Sequence, residues 1–497
     1  MTARGEETAA LALHRFGFGP VPGSIVAIAH DPRGALLADL ERPAAGWLSA
    51  RMPSSEQAAR AVFEFRAEQQ AKQKLAQRAA KEAEAKSAAQ ATSDVTKAAL
   101  APAPPGPKPP ENKGPQLPQQ FIENEAQARF DAAIDADIGF VERLVWFWSN
   151  HFCISADKDV AMVGAYEREA IRPHVLGRFA EMLQAVESHP AMLFYLDNIR
   201  SMGADSIAGI NGDKGLNENL AREILELHTL GVRSGYSQQD VTSFANVLTG
   251  WSWVDPGEPE HGGEFVFVKR LHQPGDQVVL GKPYPDSGAT QGRAVLADLA
   301  RHPATARHIA HKLACHFVAD EPPPTLIDKL ANRFKETDGN LKEVAKTLVT
   351  ADESWTPRRT KLKPPSQWIV ATLRLTGGQR PVAQAASNMD VTRVGVTKWP
   401  IGRTLAVQAA LGEALWRPPA PNGWPDTEAA WIDGVPHRLD VANEIAGRLP
   451  AGLDPLTLLD SGLGPLASRD TRETIARAES RNQALALLVM TPEFLRR

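Results

Sequence analysis

Eight prolines between positions 102 and 118 set the first limit on what this chain can fold into. Pro102, Pro104, Pro105, Pro107, Pro109, Pro110, Pro115 and Pro118 remove backbone donors and fix φ, so the stretch suits a polyproline-type linker and not a packed core. Upstream, from Ser54 to about Lys97, the chain turns to Ala, Glu, Gln, Lys and Arg. These are strong helix formers, Ser55 can cap them, and apolar side chains thin out after Phe65. Residues 54–119 therefore read as an insertion, a solvated helix and then a linker. It interrupts a helical body made of an N-terminal part, 1–53, and a main domain, 120–497.

Outside the insertion the apolar spacing is helical. Val141 to Trp148 is apolar nearly all round, which predicts a buried helix. Pro190 suits the first turn of a helix ending near Asn198. Asn217 as N-cap and Gly231 as stop bracket another, and Ser237 with Asp240 predicts a capping box for a helix ending at Gly250. The exception is Phe265–Val268 and Val278–Leu280, divided by Pro274-Gly275, which read as a β-hairpin near 264–281. The expected fold is mostly α: a large multi-helix body with one small β-hairpin and a helical, Pro-rich insertion. With 43% hydrophobic residues in 497, there is enough apolar material to fill it.

Composition excludes several classes of function. Lys and Arg number 55 against 59 Asp and Glu, a net charge of −4 with no dense basic block, so no nucleic-acid partner is expected. No apolar run approaches the roughly 18 residues of a membrane helix, and no apolar stretch follows the N-terminal charges, so no transmembrane segment is expected and the chain reads as cytoplasmic. Cys153 and Cys315 form no C-x-x-C pair and read as free thiols on helices. Nucleophile-elbow, Walker and dinucleotide glycine motifs are missing.

The stretch Asn217 to His228 carries the most chemistry. At about 100° per residue, Asn219, Arg222, Glu223 and Glu226 share one arc and the leucines cover the other side. Turned outward, the arc is a solvated face with ion pairs at Glu218/Arg222 and Arg222/Glu226; turned inward, two carboxylates, a guanidinium and an amide can hold a metal or a polar substrate. His228 falls on the apolar side and reads as a core histidine, where phenylalanine should be tolerated. His151 shares a face with Leu144, Phe147 and Trp148; it is either a neutral base or ligand, or a helix-end cap. His308, His311 and Cys315 share a face too, but without a carboxylate.

In several ordered segments the chain resembles the bacterial domain-of-unknown-function family eighteen hundred. The resemblance rests on Leu13 to Pro20, Trp146 to Phe152, Pro190 to Asn198, Asn217-Glu218-Asn219 with Ala221-Arg222-Glu223, Leu248 to Trp251, Lys312-Leu313 and Asn422-Gly423-Trp424-Pro425. It implies that the Asn/Arg/Glu arc faces inward, and that a sulfatase-like protein is a partner. Two departures stand out: His272 is followed by Gln273 where the family has Asp, and Gln277 stands where it has Lys. Family members often carry an export signal, which this chain does not show.

Two functions follow. In the first the protein is an enzyme, a metal-dependent hydrolase or a redox enzyme. Glu223, Glu226, His151 and Arg222 are then catalytic, and Asn150, Asn217, Glu218, Asn219 and His272 contact the substrate. A divalent metal is the cofactor such a pocket allows. In the second the protein is a non-catalytic helical scaffold for the sulfatase-like partner, and the same residues form a structural network.

Overall fold

The computed structural model describes residues 3–48, 51–91, 116–158, 161–212, 215–357, 359–377 and 400–497. The expected linker from Pro102 to Pro115 lies outside them. Among the described residues helices dominate, and strands are confined to two small antiparallel pairs. The fold is mostly α, as the spacing indicates.

Both apolar runs near 264–281 are strands, but they do not pair with each other. Phe265–Phe267 pairs with Trp251–Trp253, and Gln277–Val279 pairs with Lys282–Tyr284. The reason is turn chemistry. Leu280 and Gly281 adopt φ of 53° and 73°, the left-handed pair that a two-residue hairpin turn needs, and so the second run folds back at once.

Helix Phe140–His151 is the centre of the body; every residue but Asn150 is buried. It starts at Gly139, whose φ of 87° turns the chain where a Cβ would meet the Phe18 ring at 3.1 Å. Its first amides are capped from far along the chain, with Phe140 N and Val141 N donating to Asp39 Oδ2 at 3.0 and 3.2 Å. Charged groups on its flanks are bridged in series: Arg172 joins Glu142 and Glu167, and Arg129 joins Glu167 at 2.8 Å, all of them buried.

Helix Leu117–Asp135 begins four residues before the expected Phe121, with Pro118 in its first turn. Its exposed C-terminal carbonyls are collected by one side chain. The Arg374 guanidinium, on helix Pro365–Thr376, donates to the carbonyls of Ala133, Ile134, Ala136, Asp137 and Gly19 at 2.6–3.0 Å.

Helix Ser55–Ala91 is capped by Ser54 and not by Ser55: Gln57 N donates to Ser54 Oγ, and Ser54 N donates back to Gln57 Oε1. Ser55 instead binds Glu169, at 2.9 and 2.7 Å. Ala58, Ala59 and Val62 anchor the helix, and every side chain from Arg66 to Ala85 stands in solvent.

Candidate functional site

The segment bearing the Asn/Arg/Glu arc is not one regular helix. Asn217 Oδ1 accepts from Asn219 N at 2.9 Å, an α-helical turn runs Asn219–Glu223, and a π-helical turn follows over Ile224–His228 before Gly231 stops it at φ 93°. The wider turn carries Glu226 away from the position a 3.6-residue period gives it, and such turns recur at functional sites. Most of the arc faces outward. Asn219 is exposed, and Arg222 pairs with Glu218 at 2.9 Å. Glu218 also accepts from Gln238 and Thr242, while Glu226 accepts from the Tyr236 hydroxyl at 2.6 Å. Glu223 differs. It is half-buried, and burial raises its carboxyl above the ordinary range, with the Glu226 and Glu187 charges adding to the rise.

The π turn exposes its last carbonyls, and two imidazoles cap them. His151 Nε2 lies 3.2 Å from His228 O, and His308 Nε2 lies 3.1 Å from Leu227 O. A carbonyl only accepts, so both rings carry the proton on Nε2. His151 is thus a cap on a neighbouring helix, and its Nδ1 is left buried without a partner. Burial holds His151 well below the usual imidazole range and brings His308 down to about 4; in both the nearby Lys312 charge adds to the effect. His228 is a core residue as expected. Its Nδ1 meets Glu187 Oε1 at 2.7 Å, however, and Glu187 is wholly buried, so phenylalanine would not be tolerated.

On the other side of helix Phe140–His151 lies a partly open cavity of about 80 Å³, where one water needs roughly 10–15 Å³ of such space. Trp146, Ser149 and Asn150 form one wall and Ser366 and Gln367 another, and Arg129, Gln408, Glu413, Trp416, Trp424 and Asp426 also line it. The loop carrying Trp424 is positioned by Asn150, which donates from Nδ2 to Trp424 O at 2.9 Å and accepts from Trp424 N at 2.8 Å. Only glycine fits before it: a Cβ on Gly423, at φ 78°, would stand 2.4 Å from Asn150 O.

Two carboxyls line this cavity in contrasting environments. Glu413 accepts from Ser366 N and Oγ at 2.7 and 2.9 Å, yet burial dominates and raises it. Burial would raise Asp426 too, but His316 Nδ1 at 2.6 Å, Arg497 at 2.9 Å and Lys361 at 3.3 Å outweigh it and hold Asp426 well below the carboxylate range. His316 is pushed down to about 3, with burial as the main cause, and its Nε2 accepts from Arg143 at 3.1 Å. The Cys153 thiol, also on the cavity, is buried and pushed up to about 12, which leaves it inert.

Over residues 11–496 the chain matches the family described as Protein of unknown function (DUF1800). It belongs to that family. No curated protein and no solved structure matches it. The match spans the quoted segments and the insertion between them alike.

Among the sequence-predicted site residues, the family fold brings Asn150 to the cavity wall and places His151 directly behind it. Arg222, Glu226, Glu218, Asn217 and Asn219 belong to the outer network. His272 is buried elsewhere, with Nδ1 against Thr249 O at 2.9 Å and Nε2 3.5 Å from Asp286 Oδ1. Among the described residues no three His, Cys, Asp or Glu side chains are grouped to hold a metal ion, and no helix is long and apolar enough to cross a membrane. Glu413, Arg129 and Asp426 were not singled out from sequence. Asp426 was within reach, since it directly follows Asn422-Gly423-Trp424-Pro425.

Proposed function

We propose that the protein is an enzyme that performs acid–base chemistry on a small polar molecule bound among Trp146, Trp416 and Trp424. The observation that carries this is the division between the two cavity carboxyls: Glu413 is raised and suited to give a proton, while Asp426 stays ionised. Glu413 is then the group that exchanges a proton, and Asp426 is a fixed negative charge that holds His316, Arg497 and Lys361 in place. Gln367, Gln408 and Asn150 supply neutral polar atoms to orient a bound molecule, and the indoles supply its apolar walls. The reading moves the chemistry from Glu223, Glu226 and Arg222 to the cavity, keeping Asn150 as a contact and His151 as support behind it. The test is native mass spectrometry of purified protein for a retained small molecule, followed by turnover of that molecule by wild type and Glu413→Gln. Retention by both with turnover only by wild type is the expected result; a cavity that retains nothing and a silent Glu413→Gln would sink it.

A second reading, a scaffold for a sulfatase-like partner, is favoured by one feature, the twenty-residue exposed part of helix Ser55–Ala91. Removing that part should then abolish co-purification with the partner while the cavity stays intact.

A further inference from the structure

Among the described residues, buried arginines mostly commit their terminal nitrogens to the protein itself. Arg172 gives both to Glu142, Arg143 gives Nη1 to Gly17 O and Nη2 to His316, and Arg497 gives Nη1 to Gln367 and Nη2 to Asp426. Arg438 leaves Nη2 unfilled, but that nitrogen is sealed in the core and Arg438 is not part of the cavity wall. Arg129 differs from each of these.

Arg129 is 6% exposed, sits on helix Leu117–Asp135 and lines the cavity. Three contacts hold its guanidinium. Nε donates to Glu167 Oε2 at 2.8 Å, and the other oxygen of Glu167 is taken by Arg172. The Trp146 ring centre lies 4.0 Å from Cζ and the Trp416 ring centre 5.8 Å from it, and both indoles belong to the cavity wall. Its Nη1 and Nη2 make no hydrogen bond or ion pair among the described residues, yet neither is sealed from solvent. The cavity carboxyls leave this fork alone. Glu413 accepts from Ser366 through both oxygens, and Asp426 is committed to His316, Arg497 and Lys361. A nearly buried guanidinium, anchored at Nε and stacked on an indole, is thus left with a terminal edge that only a molecule in the cavity can fill.

We infer that the molecule bound in the cavity carries a small oxyanion, two of whose oxygens accept from Nη1 and Nη2 of Arg129. This rests on the cavity reading above and names the chemical class of its ligand. A guanidinium fork offers two parallel donors, a geometry that carboxylates and phosphates both match and a neutral amide, with one oxygen, does not. The anchor at Glu167 and the stacking on Trp146 fix the fork before a ligand arrives, so little ordering remains to oppose binding. Asn150, Gln367 and Gln408 on the same wall are left to contact the rest of the molecule.

The experiment is titration calorimetry of the full chain with acetate and with inorganic phosphate, against acetamide as the neutral isostere of acetate. At least one oxyanion is expected to bind about tenfold or more tightly than acetamide, the least a charge-assisted hydrogen bond supplies. Tighter acetate assigns the group as a carboxylate and tighter phosphate as a phosphate; either supports the inference. Arg129→Gln should erase the preference. Arg129→Lys keeps a charge opposite Glu167 but loses the fork, and should lower the preference several-fold. Should Arg129→Gln fail to fold, Arg129→Lys decides. An undiminished preference in a folded variant overturns the inference, and so does equal binding of acetate, phosphate and acetamide, which leaves the cavity reading in place. Binding of none of the three overturns it too, and takes the cavity reading with it when the purified protein also retains no small molecule.

Discussion

Asn150 holds the backbone of Trp424 with both atoms of its amide, as one strand holds another, although neither residue is in a sheet. The last turn of the central helix is in this way tied to the loop that closes the cavity. Asn150→Ala should cost about 1–3 kcal/mol, the desolvation of two abandoned backbone groups, and should loosen the loop. Asn150→Asp should be worse than its size suggests, since it replaces the donor to Trp424 O with a second acceptor. Urea melts together with tryptophan fluorescence would show both effects; an unchanged midpoint for Asn150→Asp would contradict the assigned geometry.

His228→Phe leaves the Glu187 carboxyl, 0% exposed, facing a hydrocarbon ring. The expected loss is about 3–5 kcal/mol. Glu187→Gln should lose less, since its amide oxygen still accepts from Nδ1. Chemical denaturation of the two variants gives the order directly, and equal losses would mean that the hydrogen bond is not the contact that matters.

Glu413 is raised by burial, so its unfolded form releases its proton at lower pH than its folded form. Stability linked to this group is present below the unfolded value, about 4.5, and is lost as pH rises through the folded one. Glu413→Gln should remove that loss. Its melting temperature should match wild type at pH 4 and equal or exceed it at pH 7.5, with turnover abolished. A variant less stable at pH 7.5 than at pH 4, relative to wild type, would reverse the sign and refute a raised carboxyl.

The imidazole caps make the opposite prediction. His308, brought down to about 4, stays neutral in the fold while the unfolded ring, near 6.5, takes up a proton. Stability is therefore full above 6.5 and falls as pH drops towards 4. His308→Gln keeps a donor for Leu227 O without titrating. Its melting temperature should fall less than that of wild type between pH 7 and 4.5, and parallel curves would exclude His308 as the cause.

Arg374→Lys keeps the charge but cannot reach five carbonyls from one planar fork. A loss of about 3 kcal/mol or more is expected, with faster amide exchange in residues 133–137. Protection equal to wild type there would show that the carbonyls have other partners.

What the sequence revealed and what it hid have separable causes. Burial periodicity exposed the central helix, and Ser237–Asp240 does form the expected capping box. Both signals are local. The pairing of Phe265–Phe267 with Trp251–Trp253 was hidden because a tight turn at Leu280-Gly281, whose leucine gives no warning, captured the other run first. A regular helical period places Arg222 correctly, in the α turn Asn219–Glu223, but not Glu226, because the π turn at Ile224–His228 shifts it. Glu413 was invisible for another reason. Nothing near it in sequence marks it, and it matters through Ser366, Arg129 and Arg438, which only the tertiary fold brings close.

The solvated part of helix Ser55–Ala91 has a hydrodynamic consequence. Twenty residues at 1.5 Å each extend about 30 Å beyond the anchoring turn at Val62 with their side chains exposed among the described residues. Friction depends on reach and not on mass. This 53.8 kDa chain should therefore elute from a sizing column ahead of a compact monomer of equal mass, and tumble anisotropically, even when light scattering reports a single copy.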